Sequence, residues 1–418
     1  MNFFMKSKLS NSDLPKILVV GQGYVGLPIA IFAATAGYEV VGYDLNLKTV
    51  ENLNSGKSHI SDIEDNQLKR LISMGKYRAS SDLTDFIDID ISIIAVPTPL
   101  TNNRKPDLSF VEAASEILGR SLKKSALIIN ESTSYPGTLR NIIAPIINSF
   151  SGIGLSHEFA ISPERVDPGN QTWSIKNTAR LYAGLTPSAS LKTRAFYEKF
   201  CDNLVEVSSP EVAETAKLFE NTFRQVNIAL VNELALITSD LGISVHETID
   251  AAASKPYGFM KFTPGLGVGG HCIPVDPTYL SYVAEQAGRN ANFINLANKV
   301  NLEMPAEIVK RVKNENGGSL NGKEVLVCGV AYKPDISDVR ETPSEILIEE
   351  VTKEGAIVSW HDPLVVSWRE SKSVEIIAKK YAVTIVAVLH SVMNKQLILN
   401  SSDYVLDCTG KLEGAKKL

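Results

Sequence analysis

Two doubly wound α/β domains with parallel sheets, joined by a helical middle domain built on a long central helix, are the fold that this sequence predicts. Three observations carry the prediction. Short β-branched runs alternate with helical patterns from Lys16 onward. A long helical pattern then runs from Glu211 to Leu241. After the turn signal Asn316-Gly317-Gly318 the alternation of strand and helix resumes.

In the first stretch KILVV at 16–20 is followed by GLPIAIFAATAG, EVVGYD, a helix near Thr49, ISIIAVP at 91–97 and ALIINES at 126–132. Strands alternating with helices imply a parallel sheet covered on both faces, here over residues 1–206. Along the central helix Ala213, Ala216, Leu218, Phe219, Phe223, Val226, Ala229, Leu230, Leu234 and Ile237 keep helical spacing, and its length suits a wall between domains. Its most apolar part, Asn227 to Leu241, is interrupted by Asn232, Glu233, Ser239 and Asp240, which predicts a buried helix and not a membrane span. Helical patterns at Ile249–Ala253, Tyr279–Ala287 and Ala306–Val312 extend the middle domain over 207–315. EVLVCGVAY at 324–332, AIVSWHD, VTIVAVLH and YVLDCTG then form the closing α/β domain, 316–418.

The composition of the 418 residues, 44% hydrophobic and 21% charged, is that of a globular chain with cores of its own. A net charge of −5 without basic runs gives no field for nucleic acid, so no nucleic-acid partner is expected. Cys201, Cys272, Cys328 and Cys408 stand far apart without a C-x-x-C pair; neither a metal site nor a disulfide framework is expected. The first fifteen residues lack the apolar core of a signal peptide, and with the cysteine usage this points to the cytoplasm and to no membrane insertion.

Gly21-Gln-Gly23-Tyr-Val-Gly26 directly follows a strand and opens a helix, the context that a G-x-G-x-x-G dinucleotide fingerprint of Rossmann type requires. Gly21 allows the tight turn, Gly23 lets the backbone approach a pyrophosphate, and Gly26 lets helix and strand pack closely. Asp44, at the end of the second strand, is placed to accept from a ribose 2′-hydroxyl and to repel a 2′-phosphate, so NAD is expected over NADP. Thr98 and Thr133 follow the next two strands of this half, at the carboxyl ends where open sheets bind ligands.

The segment PGLGVGGHCIPVDP, 264–277, delivers one thiol at the end of a glycine-rich loop: Gly265, Gly267, Gly269 and Gly270 precede Cys272. Cys272 is therefore a candidate nucleophile, against the alternative of a small buried apolar residue. His271 stays unassigned. Asp276 before Pro277 suits a helix N-cap, and a catalytic role is equally open to it. Lys217 and Asn221, four apart on the long helix, share a face and can hold a water or stabilise an oxyanion; a solvated helix face is the alternative.

Taken together, VGQGYVGLPIA, AVPTP, ESTSYPGT, SPERVDPGN, KLFENTFRQVNIALVNE, PGLGVGGHCIPVDP and AYKPDISDVRETPS resemble the UDP-glucose/GDP-mannose dehydrogenase family from Lys16 to about Gly410. The resemblance implies an NAD-binding domain, a helical middle domain with dimer contacts, and a C-terminal domain for the substrate nucleotide, in a homodimer or higher homo-oligomer. It implies a catalytic set of Cys272, Lys217, Asn221, Asp276, Glu164 and Thr133. It implies cofactor contacts at Gly21, Gly23, Tyr24, Val25, Gly26, Asp44, Thr98, Thr133 and Arg340, and substrate contacts at Glu164, Arg165, Lys217, Asn221, Tyr257, Phe262, Gly269 and Lys333.

UDP-glucose dehydrogenases carry a second glutamate four residues after the first, where Pro168 stands here. The SPERVDPGN, KPYGFM and HCIP forms are similar to the branch acting on UDP-N-acetylhexosamines, with the gluco epimer ranked first, galacto next and manno third. The implied chemistry is a four-electron oxidation of C6 to the uronic acid through a thiohemiacetal and thioester on Cys272, for a surface polysaccharide. Two other readings stay open: a one-step hydroxyacid dehydrogenase that does not need Cys272, and a nucleotide-sensing protein without turnover.

Overall fold

The structure, a computed structural model, describes residues 14–60, 62–166, 170 and 172–418. The polar lead-in up to residue 13 and Pro168 lie outside the described residues. The chain forms two compact units, one running to Leu218 and one from Phe219 to Leu418.

The first unit contains, in chain order, β1 (Lys16–Val20), α1 (Gly26–Thr35), β2 (Glu39–Tyr43), α2 (Leu47–Asn54), α3 (Asp65–Ser73), β3 (Tyr77–Ser80), β4 (Ile91–Ile94), α4 (Ser109–Ser121), β5 (Leu127–Asn130), α5 (Ala144–Phe150), β6 (Glu158–Ile161), β7 (Arg180–Gly184), α6 (Pro187–Tyr197) and β8 (Leu204–Glu206). The strands lie in the order β3-β2-β1-β4-β5-β6-β7-β8. The order reverses between β1 and β4, the switch point where such sheets take ligands. Ile17, Leu18, Val19, Ile93, Ile128 and Ile129 are fully buried, as the apolar runs of a sheet covered on both faces require. All pairings are parallel except β6 with β7, an antiparallel step that the βα rhythm did not signal.

Two expected strands end early. β4 stops at Ile94 and β5 at Asn130, so Ala95–Thr98 and Glu131–Ser134 leave the ladder as loops at the carboxyl edge. Ser132 joins these loops: its Oγ accepts from Val96 N–H and donates to Val96 C=O, both at 2.9 Å. The apolar character of AVP and the polar ESTS thus serve loop packing and not strand pairing.

The long helix α7 (Pro210–Asp240) carries the boundary between the units and matches the predicted span within one residue at each end. The expectation that its Asn227–Leu241 part is buried is corrected: Leu230 and Ile237 are 60% and 51% exposed. Among the described residues no helix is long and apolar enough to cross a membrane.

The second unit continues with α8 (Val245–Ala253), α9 (Asp276–Gln286), α10 (Asn292–Glu315), β9 (Glu324–Cys328), α11 (Pro343–Lys353), β10 (Ile357–His361), the short pair β11 (Ser367–Trp368) and β12 (Ser371–Lys372), β13 (Val383–Val386), α12 (Lys395–Leu399), β14 (Val405–Asp407) and β15 (Lys416–Lys417). Its main sheet, β10-β9-β13-β14-β15, is parallel throughout. Val325, Val327, Val383, Ile385 and Leu406 form its core with Ile308 and Val312 of α10 and Leu347 and Val351 of α11. α10 is far longer than the predicted 306–312 because it runs through Pro305. That proline has no N–H to offer the Asn301 carbonyl four residues earlier.

Candidate active site

In the first unit the fingerprint loop has the geometry a dinucleotide needs. Gly21 has φ +92°, and a Cβ there would meet Ala95 O at 2.4 Å, so a side chain is excluded twice over. A Cβ on Gly26 would lie 1.8 Å from Gly21 O, whereas one on Gly23 would meet nothing within 4 Å. Gly26 is thus required by packing, and Gly23 leaves its backbone open to a ligand. Tyr24 and Val25 complete the turn into α1, with Val25 at the N-cap. Asp44 stands directly after β2, its Oδ2 accepting from Gln22 N–H and its Oδ1 from Asn46 N–H, both at 2.9 Å. These bonds hold the carboxylate beside the glycine turn with lone pairs left for a ribose hydroxyl. The residues present therefore fit NAD. Thr98 is buried and Thr133 half-buried in the loops after β4 and β5.

Glu164 follows β6 and is held from several sides. Its Oε1 accepts the backbone N–H groups of Arg165 and Val166, both at 2.7 Å, while Arg180 Nη2 donates to Oε2. Burial pushes the carboxyl up, but Arg180, the two amides and the charge of Lys217 together hold it below the usual range. Arg165 spends its own guanidinium on the Ala179 carbonyl, 2.6 Å away. Arg180 also lies 3.1 Å from Glu131 Oε1. Neither Glu131 nor Arg180 was singled out from the sequence, although Glu131 opens the ESTSYPGT segment.

Glu131 differs from Glu164 in sign: burial pushes it up to about 7 although Arg180 pulls the other way. One cation serves two carboxylates, and Glu131 Oε2 is buried without a hydrogen-bond partner among the described residues. A carboxyl raised on folding binds more protons folded than unfolded between its two pKa values. Its contribution is therefore favourable at low pH and is lost as pH rises from about 4.5 through about 7. Glu214 on α7, pushed up to about 7 by burial, acts in the same direction. Melting curves between pH 5 and 8 are expected to fall more steeply for the unmodified protein than for Glu131→Gln, by up to roughly 3 kcal/mol of stability across that range. Equal slopes would show that Glu131 does not titrate there.

In the second unit the glycine-rich loop is fixed along its length. Asn232, buried on α7, accepts from Gly265 N–H at 2.9 Å and donates to Asn301 Oδ1 at 3.0 Å. Gly267 (φ +125°) passes so close to the Asn301 carbonyl, the one that Pro305 leaves without a helical donor, that a Cβ would sit 2.5 Å from its oxygen. A Cβ on Gly269 would meet Pro343 and Tyr332, one on Gly270 the Tyr332 ring, each at 2.8 Å. Gly270 N–H donates to the Arg340 carbonyl at 3.0 Å. The glycines thus let the loop lie flat on the segment that carries Lys333 and Arg340. The Arg340 side chain pairs with Asp338, and Lys333 Nζ stands 5.9 Å over the Tyr332 ring. Burial and the nearby Arg340 lower the pKa of His271.

Cys272 emerges from this loop with an exposed side chain and outside any disulfide. Its carbonyl accepts from Val275 and Asp276 N–H at 3.1 and 2.8 Å, turning the chain into α9. The N-cap reading of Asp276 is corrected: Val275 is the cap, and Asp276 is the first residue of α9 with no capping bond. Its carboxylate is instead 2% exposed and accepts from Asn221 Nδ2 at 2.6 Å. Lys217 is half-buried one helical turn before Asn221. Phe262 packs edge-on to Phe223 with ring centroids 6.0 Å apart, whereas Tyr257 is 72% exposed.

Family models match three successive segments of the chain. The UDP-glucose/GDP-mannose dehydrogenase family's NAD binding domain matches residues 15–201, its central domain 211–303 and its UDP binding domain 326–412. A UDP-N-acetyl-D-mannosamine dehydrogenase from Pyrococcus horikoshii is 35% identical over 360 residues, 84% of each chain. A UDP-N-acetyl-D-glucosamine 6-dehydrogenase from Pseudomonas aeruginosa is 35% identical over 356 residues, 84% of this chain and 83% of the other. The solved UDP-D-ManNAc dehydrogenase structure from P. horikoshii superposes with a TM-score of 0.87 at 32% identity, covering 96% of this chain and 97% of that one. A chain whose glycine turn fits NAD and whose three segments all match in order is a member of the UDP-glucose/GDP-mannose dehydrogenase family, an NAD-dependent nucleotide-sugar dehydrogenase.

Proposed function

We propose that this enzyme oxidises C6 of a UDP-N-acetylhexosamine, UDP-N-acetylglucosamine before its epimers, to the uronic acid, as a precursor for a surface polysaccharide. The observation that carries the reading is the exposed Cys272 at the end of a loop fixed by Asn232, Asn301 and Arg340, with Asp276 bonded to Asn221 a few residues on.

NAD⁺, when bound at the glycine turn, supplies the hydride acceptor. A water held by Lys217, Asn221 and Asp276 takes the hydroxyl proton as the alcohol becomes an aldehyde. The Cys272 thiolate adds to the aldehyde carbon, and the oxyanion of the thiohemiacetal is stabilised by the Lys217 ammonium and the Asn221 amide. Oxidation of this adduct, for which a second NAD⁺ would supply the hydride acceptor, leaves a thioester on Cys272, which water cleaves to the uronic acid and the free thiol with help from Glu164 and Asp276. Thr133 and Arg340 face the cofactor in this reading, and Arg165, Tyr257, Phe262, Gly269 and Lys333 the sugar nucleotide. The division into 1–206, 207–315 and 316–418 gives each part of the chemistry its own segment.

The gluco preference rests on SPERVDPGN and HCIPVDP, because relatives named for the gluco and the manno sugars are equally similar. NADH formation with the three UDP-N-acetylhexosamines and UDP-glucose tests it. UDP-N-acetylglucosamine is expected to lead in kcat/KM by about tenfold or more, the scale on which a pocket separates close analogues. A manno or galacto sugar in first place would reassign the substrate and leave the chemistry standing.

We also propose a homodimer. Phe219, Phe223, Leu230 and Ile237 recur along α7 at spacings of four and seven and are all exposed, which leaves an apolar stripe suited to a second copy. Leu230→Glu is expected to convert dimer to monomer in light scattering after gel filtration. A monomeric unmodified protein would remove the proposal.

A further inference from the structure

The chemistry proposed above makes no use of the charge cluster behind Glu164. Arg180 opens β7 and its side chain is only 4% exposed. It reaches Glu164 Oε2 with Nη2, and with Nη1 it donates to Ser162 Oγ at 3.1 Å and pairs with Glu131 at 3.1 Å. Its guanidinium carbon stands 4.6 Å over the Tyr197 ring, and the Tyr197 hydroxyl donates to the Glu131 oxygen that faces Arg180. Four elements therefore fix one cation: the loop after β6, the loop after β5, β7 itself and α6.

The cluster has a direction. The Glu131 side chain is sealed at 0% exposure, whereas that of Glu164 is 12% exposed. Neutralising a buried arginine needs one carboxylate; a second, held by a tyrosine on the closed side, fixes the plane of the guanidinium and hence its open edge. With Oε1 taken by two backbone amides, Glu164 is left a single orientation.

We propose that Arg180 is a positioning residue that, clamped by Glu131 and Tyr197, keeps the Glu164 carboxylate ionised and fixed for its work on the substrate. This rests on the reading of Glu164 as a site residue. The charged and titratable groups that face Glu164 are Arg180 from β7, Glu131 from the loop after β5 and Lys217 from α7; Tyr197 and Cys201 face Arg180 from α6 and the chain after it. Without the arginine, burial favours the neutral acid, so Glu164 should take up a proton inside the working pH range. Activity would then be missing at low pH and return as pH rises.

The test is kcat and both KM values of Arg180→Gln, Arg180→Lys and Glu164→Gln from pH 5.5 to 9, with melting temperatures alongside. For Arg180→Gln we expect a loss of about tenfold or more at pH 6.5 that shrinks steadily towards pH 9, with KM for NAD⁺ within about twofold. Arg180→Lys should recover part of the loss and move the acid limb back. If Arg180→Gln does not fold, Glu131→Gln/Arg180→Gln, which no longer buries a second unpaired carboxylate, is read in its place with the same expectation. A loss by one constant factor at every pH, with only the melting temperature changed, would overturn the proposal and leave Arg180 a structural ion pair. Glu164→Gln separates the two readings: near-normal activity in it removes Glu164 from the site. A poor Glu164→Gln beside pH-independent Arg180 variants removes only Arg180.

Discussion

Cys272→Ala is expected to lower kcat for uronic acid formation by at least about a thousandfold, the scale seen when the nucleophile of a site acting as a unit is removed. An aldehyde is a poor donor of a second hydride unless a nucleophile first adds to its carbon, and Cys272 is the exposed cysteine of the four. Cys201, Cys328 and Cys408 are buried, and burial pushes each of their thiols up, away from the nucleophilic thiolate form. None of them can stand in. The unmodified enzyme should yield two NADH per uronic acid. Cys272→Ser should add to the aldehyde and then stall, since an oxygen ester hydrolyses less readily than a thioester. NADH counted against product, with mass spectrometry of the Cys272 peptide, reads both expectations. One NADH per product, or unchanged turnover in Cys272→Ala, would favour a one-step dehydrogenase. Melting temperature should change little, because the exposed thiol contributes little packing.

Features written in local spacing were legible in the sequence. Gly21, Gly23 and Gly26 with Asp44 depend on one turn and one strand end, and α7 on a repeating apolar pattern, so each could be placed without the rest of the fold. Where long-range packing decided, the reading erred. Asp276 looked like an N-cap because it precedes Pro277, but its carboxylate is drawn to Asn221, 55 residues earlier in the chain. The pattern at 306–312 shows only part of α10, which runs from Asn292 to Glu315 through Pro305 while the Asn301 carbonyl that the proline leaves without a helical donor lies under Gly267. Arg180 left no signal at all: its partners lie 16 residues away at Glu164 and, at Glu131, in a motif noted for its threonine. A charged residue opening an apolar strand ordinarily faces solvent, so nothing local marked this one as buried.

Lys217→Ala and Asn221→Ala are each expected to slow turnover by about a hundredfold, the usual result of removing a group that stabilises developing charge. The two should differ in every other respect. Lys217 acts by charge, and Glu164 lies within its field; its loss should change kcat with little effect on melting temperature. Asn221 donates to the carboxylate of Asp276, a residue 2% exposed, so Asn221→Ala removes a charge-assisted bond from a buried acceptor. A hydrogen bond to a charged group is worth about 1.5–3 kcal/mol, and its loss should appear as a lower melting temperature. Near-normal kcat in both alanine variants would return this face of α7 to the solvated-helix reading and leave Cys272 to be activated by other groups.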